Sequence, residues 1–129
     1  APDGQPCNPP PWGAIVAFDP ESGAIRWQSP LGTMHDGWPA GSINFGGPSA
    51  TAGGLVFSAG SVDAHLRAFD TDTGRELWSG ELPASAQSTP MIYEWRGRQY
   101  IVISAGGHGK LNSSTGSKMG DAVVAFALP

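Results

Sequence analysis

The segment Ser104 to Lys110, SAGGHGK, is the stretch of this chain best suited to chemistry. Three glycines around one histidine let the backbone pass close to a ligand and turn its N–H groups toward anionic oxygens. His108, set among them, can donate, accept or stack. The same residues also make a plain glycine-rich turn with an exposed histidine, and residue type alone leaves both readings open. A phosphate loop is excluded, because no Ser or Thr follows Lys110 and the glycine spacing is wrong. A second stretch, Ser42 to Pro48 (SINFGGP), offers the amide of Asn44, although an asparagine shortly before a Gly-Gly pair equally marks a turn. Ahead of it runs a long loop, GTMHDGWPAGS, carrying His35 and Trp38. Long loops carry function more often than core strands do.

Other chemistries fall away. His35, His65 and His108 are 30 and 43 residues apart with no helical pairing, which disfavours a zinc site. Cys7 is the single cysteine, so neither an intrachain disulfide nor a cysteine-rich metal site can form. Asp36, Asp63, Asp121 and Lys110 read as loop or turn residues. The polar run 111–118 reads as a flexible surface loop. Net charge is −4 with no Lys/Arg cluster, so the footprint of a nucleic-acid binder is missing. No apolar stretch approaches the roughly 20 residues of a membrane span, and no signal peptide is visible.

The elements that must position these residues are strands. Only 14% of the residues are charged, while the chain holds 19 glycines and 12 prolines. A long amphipathic helix needs charged residues outside and few breakers inside, so short strands joined by tight turns fit better. Five tryptophans and recurring apolar runs argue for burial rather than disorder.

A repeat organises those strands. VAFDPESGAIRW (16–27) and RAFDTDTGRELW (67–78) are nearly the same phrase, 51 positions apart. Ala17, Phe18 and Asp19 match Ala68, Phe69 and Asp70; Trp27 matches Trp78, and Leu31 matches Leu82. Each copy reads as strand, turn, strand, closed by Asp, Ser/Thr and a glycine able to take positive φ. The tryptophan ending the second strand can cover a neighbouring sheet. A turn at Ala52 to Gly54, another at Arg96 to Arg98, and the echo VVAFALP extend the series. The expected order is an outer hairpin (13–29), a complete four-stranded unit (47–80), and three strands of a last unit (88–129). A four-stranded repeat of 40–50 residues with a signature tryptophan is a β-propeller blade, which needs a neighbour on each side. Asp19, Asp70, Trp27 and Trp78 are therefore expected to be structural. The fold class is all-β, a partial propeller of about two and a quarter blades.

At GGPSATAGGLVFSAG, AFDTDTGRELW and GRQYIVISAGGHG the chain resembles the pyrroloquinoline-quinone (PQQ) dependent dehydrogenases, most of all the membrane-bound glucose dehydrogenase branch. Pro10 to Gly13 and Gly120 to Pro129 carry further likeness. The resemblance implies an eight-bladed propeller with PQQ and a divalent metal, calcium or magnesium, near its axis. It implies hydride transfer from a sugar or alcohol to the quinone, ubiquinone or a cytochrome as electron acceptor, and a periplasmic site, with membrane anchoring of the complete protein. It places His108, Gly107, Gly109 and Asn44 beside the cofactor. The catalytic aspartate and most metal ligands of the family have no counterpart here, so no catalytic or metal residue is assigned. The chain is accordingly expected to be a piece of a quinoprotein, inactive alone, that self-associates or joins the remaining blades. A non-enzymatic scaffold built from the same repeats is the alternative.

Overall fold

The computed structural model describes residues 4–127. The end of the expected last unit, residues 128 and 129, lies outside them, as does the close of the Gly120 to Pro129 likeness. Nine strands and one short helix follow in order. They are β1 (Ala14–Phe18), β2 (Ile25–Pro30), β3 (Ser49–Ala50), β4 (Leu55–Ser58), β5 (His65–Asp70), β6 (Glu76–Glu81), β7 (Met91–Trp95), β8 (Arg98–Ala105), α1 (Gly109–Thr115) and β9 (Ala122–Ala127). Three antiparallel sheets result, ordered β1-β2, β3-β4-β5-β6 and β7-β8-β9. The architecture is the all-β, partial-propeller arrangement expected.

The repeat is reproduced down to its irregularities. Asp19 Oδ1 accepts from the backbone N–H of Glu21 and Ser22 at 2.8 and 3.0 Å. Asp70 Oδ1 does the same for Asp72 and Thr73 at 3.0 and 2.8 Å. Gly23 and Gly74 close the turns at φ 71° and 70°. Both hairpins carry a bulge at the same place, between Ala17 and Phe18 and between Ala68 and Phe69. A bulge adds local twist to the outer strand pair. The backbone N–H bonds of Ser22 and Glu21 hold the Asp19 carboxyl below the usual aspartate range, and the Thr73 hydroxyl followed by the Thr73 and Asp72 N–H groups does the same for Asp70. The Arg96–Gly97 turn has positive φ at both residues, and Arg98 already pairs with Trp95 as the first residue of β8.

Between the first and second sheets, Ile15, Leu31 and Phe69 are buried, with Trp27 and Val56 packed on them. The indole Nε1–H of Trp27 donates to Thr71 O at 2.8 Å, and Ser29 Oγ donates to Gly74 O. A Cβ at Gly74 would stand 2.4 Å from the Trp27 ring. Glycine is therefore required there twice, by its φ and by the indole. The second and third sheets bury the main core of Phe57, Leu66, Ala68, Leu82, Ile101 and Ile103. Trp78 meets Phe126 edge-on at 5.3 Å across that junction.

Because the strands alternate in direction, the tight hairpins gather at one end of the sheets and the long connections at the other. At the second end, Asp63 ties two loops together. Its carboxylate meets Arg67 at 2.6 Å, accepts from Ser61 Oγ at 2.6 Å and from the Thr33 N–H at 3.0 Å. Burial raises its pKa. The Arg67 and Ser61 hydrogen bonds, the Arg67 charge and the Thr33 N–H outweigh that and hold the carboxyl below its usual range.

The run 111–118, expected as a flexible loop, instead contributes to a packed roof. α1 covers Gly109–Thr115, and Leu111 is 4% exposed, buried with Met34 and Val62 beneath Trp12 and Trp38. Ser113, Ser114 and Thr115 turn their hydroxyls back to the carbonyls of Lys110 and Leu111. Ser and Thr have weak helix propensity, and one buried leucine overrides it.

Two outcomes follow. Gly74→Ala and Gly23→Ala both place alanine at positive φ, at about 1–2 kcal/mol, but nothing lies within 4 Å of a Cβ at Gly23. Urea denaturation should show Gly74→Ala costing a further ~1–3 kcal/mol for the displaced indole. Asp63→Asn should cost about 3 kcal/mol at neutral pH, because the buried Arg67 guanidinium then keeps only the more exposed Glu76, 3.3 Å away, as an ion partner among the described residues. Because the folded-state pKa of Asp63 is lowered, its contribution is complete above the unfolded carboxyl pKa, about 3.9. It is lost as pH falls from there through the folded value. The denaturation midpoint of Asp63→Asn should converge on that of the parent chain in that acid range.

Candidate functional site

The connections between sheets meet around His108. The segment 82–90, joining the second sheet to the third, runs between the loop before β3 and the loop after β8. Leu82, Ala84, Ser85 and Ala86 are all buried. On one side Gly47 N donates to Thr89 Oγ1 at 3.2 Å, and Ser49 Oγ donates to Pro90 O. On the other, Gly107 N donates to Ser85 O at 2.7 Å. Small residues make this crossing possible: a Cβ at Gly46 would lie 2.7 Å from Ser88 O and 3.2 Å from Gly60 Cα.

His108 sits just ahead of α1 with extended backbone, φ −150° and ψ 124°, and its side chain does not cap the helix. Its imidazole stands edge-on to Phe45, centroids 5.0 Å apart at 62°. Nδ1 is buried and has no hydrogen-bond partner among the described residues. A buried ring nitrogen without a partner costs free energy that a ligand group can recover. Phe45 is 58% exposed, so the pair stands at the edge of the protein rather than in its core.

The neighbouring glycines differ in what they do. Gly107, at φ +73°, is pressed against the returning chain, where a Cβ would lie 2.8 Å from Met119 Sδ and 2.9 Å from Lys118 O. Among the described residues nothing lies within 4 Å of a Cβ at Gly109, so that side is open. Asn44 is half-buried and donates its Nδ2 to Ser42 O at 3.2 Å. Its Cβ packs near Gly60, and the next residue is Phe45, so the chain brings Asn44 into the neighbourhood of His108.

His35 and Trp38 are joined to each other, centroids 4.5 Å apart, and Trp38 leans on Trp12 at 5.8 Å. They belong to the roof. Beside it lies a cleft of about 320 Å³ lined by His35, Asp36, Asp63, Ser117 and Lys118 among others. Asp63 there is committed to Arg67. His65 Nδ1 lies 2.7 Å from Asp63 O. Among the described residues no three of His, Cys, Asp and Glu gather as a metal site.

Phe45, Gln87 and Met119 escape a reading of the sequence. Their partners lie 63, 42 and 12 residues away along the chain, and no local pattern announces contacts of that span.

Residues 1–101 match the family described as PQQ, glucose/ethanol/alcohol dehydrogenase, β-propeller domain. The quinoprotein glucose dehydrogenase of Escherichia coli K12 is 45% identical over the whole chain. A probable quinate dehydrogenase (quinone) of Xanthomonas campestris pv. juglandis is 44% identical over 98% of it. In both cases the chain spans 17% of the relative's length. Among solved structures, the quinohemoprotein alcohol dehydrogenase ADHIIG of Pseudomonas putida HK5 superposes with a TM-score of 0.70. It is 28% identical, and the match covers 87% of this chain and 16% of that one. With matching repeats, matching fold and matching sequence throughout, the chain belongs to the β-propeller family of the PQQ-dependent dehydrogenases.

Proposed function

We propose that this chain forms a section of the wall of a PQQ site in a dehydrogenase that oxidises a hydroxyl of a sugar or alcohol. The observation that carries the reading is the buried, unpartnered Nδ1 of His108 beside the exposed ring of Phe45. PQQ, when bound, supplies an ortho-quinone that accepts a hydride equivalent and three carboxylates that need donors. His108 presents an imidazole to it, held in place by Phe45, as donor or stacking contact. Gly109 leaves the approach open, and Gly107 keeps the loop tight against Met119 so that His108 stands at its edge. Asn44 offers its amide from the neighbouring loop. Catalytic base and metal ligands come from other blades, with calcium or magnesium as the ion. Ubiquinone or a cytochrome takes the electrons, in the periplasm. Among the described residues, no helix is long and apolar enough to cross a membrane.

The partners for these sheets follow from the repeat. Ile15 and Leu66 occupy equivalent positions and are 7% and 0% exposed, whereas Val123, three residues before the matching Phe126, is 71% exposed. At the opposite face, Phe69 is 1% exposed and its equivalent Phe18 is 63% exposed. The last sheet thus lacks a neighbour ahead of it and the first lacks one behind. Further blades of the same repeat fill both, or second copies of the chain where those blades are missing.

In the enzyme containing these blades, His108→Ala should weaken PQQ binding roughly tenfold, the worth of about one hydrogen bond to a charged ligand. Titration by quenching of tryptophan fluorescence reads this, and the thermal midpoint of the cofactor-free protein should not move. The 129-residue chain given PQQ, calcium and glucose should reduce no dye; turnover by it alone would overturn the assignment of the catalytic base to other blades. Light scattering after gel filtration should find the chain self-associated, and the double change Phe18→Ser, Val123→Ser should release monomer. A compact monomer of the unchanged chain contradicts the open-face reading.

A further inference from the structure

Gln87 lies in the crossing segment between the second and third sheets and has no place in the contact assigned to His108. Its side-chain amide is tied at both ends. Oε1 accepts from the Phe45 N–H at 2.9 Å, and Nε2 donates to Ser61 O at 3.1 Å. The orientation is fixed by chemistry, since a backbone N–H only donates and a carbonyl only accepts. Ser61 is fully buried and its hydroxyl belongs to the Asp63–Arg67 network, so that end of the amide is anchored. The other end holds the backbone of the residue whose ring meets His108 at 5.0 Å.

We infer that Gln87 is a positioning residue that sets the stance of the His108 imidazole through Phe45. The consequence for cofactor binding rests on the quinone reading of His108; the geometric relay does not. Phe45 is mostly exposed and has little packing of its own to hold it. The hydrogen bond from its N–H to Gln87 holds the backbone from which that ring reaches the imidazole. Only a side chain with both acceptor and donor, at the reach of glutamine, links Phe45 N to Ser61 O. Asparagine is one methylene short, and methionine matches the length with neither function. Outer partners that orient metal-ligating side chains typically change affinity 10–100-fold when removed, and Gln87 supports a ligand-contacting side chain in the same manner.

The test separates the relay from the quinone reading. Histidine-labelled NMR of the 129-residue chain follows the His108 ring protons, which feel the ring current of Phe45. Phe45→Ala sets the shift for full loss of the contact, and Gln87→Met should move the signals toward it. Gln87→Glu adds a readout that plain destabilisation does not give. Ionised, the carboxylate accepts from Phe45 N but turns a lone pair on Ser61 O; protonated, it restores both bonds. The His108 signals of Gln87→Glu should match the unchanged chain at equal pH below the carboxyl pKa, about 4.3 for a free glutamate, and depart above it. Signals that coincide with the parent in both variants overturn the relay, and so does a Gln87→Glu chain that fails to fold at any pH. In the enzyme containing these blades, Gln87→Met and Phe45→Ala should each weaken PQQ binding about tenfold. Unchanged PQQ affinity with displaced His108 signals overturns the quinone contact and leaves the relay standing.

Discussion

Over Gly74 there is room for an indole and for nothing else. Trp27 fills that room from the preceding sheet, and its N–H reaches the turn at Thr71. This contact joins the outermost strand of one sheet to the hairpin of the next, and so fixes how far apart successive sheets stand at their rims. Everything at the opposite end inherits the spacing. The loops 42–47, 58–63, 84–90 and 104–109 meet because the sheets stack side by side. A four-stranded sheet with two apolar faces has no other way to satisfy both than to stack.

The site end of the stack is held mainly by polar contacts. The rim combines the packing of Trp27 with hydrogen bonds from its N–H and from Ser29, and the inner loops join polar side chains to the backbone of the adjacent sheet: Ser49 to Pro90, Thr89 to Gly47, Gln87 to Phe45 and Ser61. Such bonds fix position as well as distance, because backbone donors and acceptors point in set directions. Farther out, the Asp63–Arg67 pair acts in the same way, joining the loop before β3 to the loop before β5. Not every polar group there is matched: the Nδ1 of His108 is buried with no hydrogen-bond partner among the described residues. Ser85 and Ser117 carry unmatched hydroxyls close by on the strands of loop that Gly107 and Lys118 connect, so the polar deficit is local to this end of the stack.

Much of the fold was legible in particular residues. The Asp–x–x–Ser/Thr–Gly turns work through contacts two and three residues apart, so their residue types imply their geometry, and both appear with the expected hydrogen bonds and positive φ. The tryptophans were readable as docking residues because their spacing repeats with the hairpin. The segment after Lys110 was misread for the opposite reason. Its serines and threonine describe a loop by local preference, and Leu111 finds its burial against Met34 and Val62, far away in the chain. The glycines of the His108 loop were legible as sites of close approach. That Gly107 is crowded by Met119, while Gly109 is left open, required the return of the chain through β9.

By itself the sequence determined the sheets and the hairpins, because each rests on short-range rules of turn chemistry and alternation that a 51-residue repeat writes twice, and its likeness to known sequences pointed to the family. Tertiary structure alone decided which loops share a neighbourhood. Phe45, Gln87 and His108 come from three connections, and the amide that spans two of them is an ordinary glutamine until the sheets are stacked. The physical reason is that a hydrogen bond or a ring contact depends on angstroms in space, and the number of residues between two loops does not encode that distance.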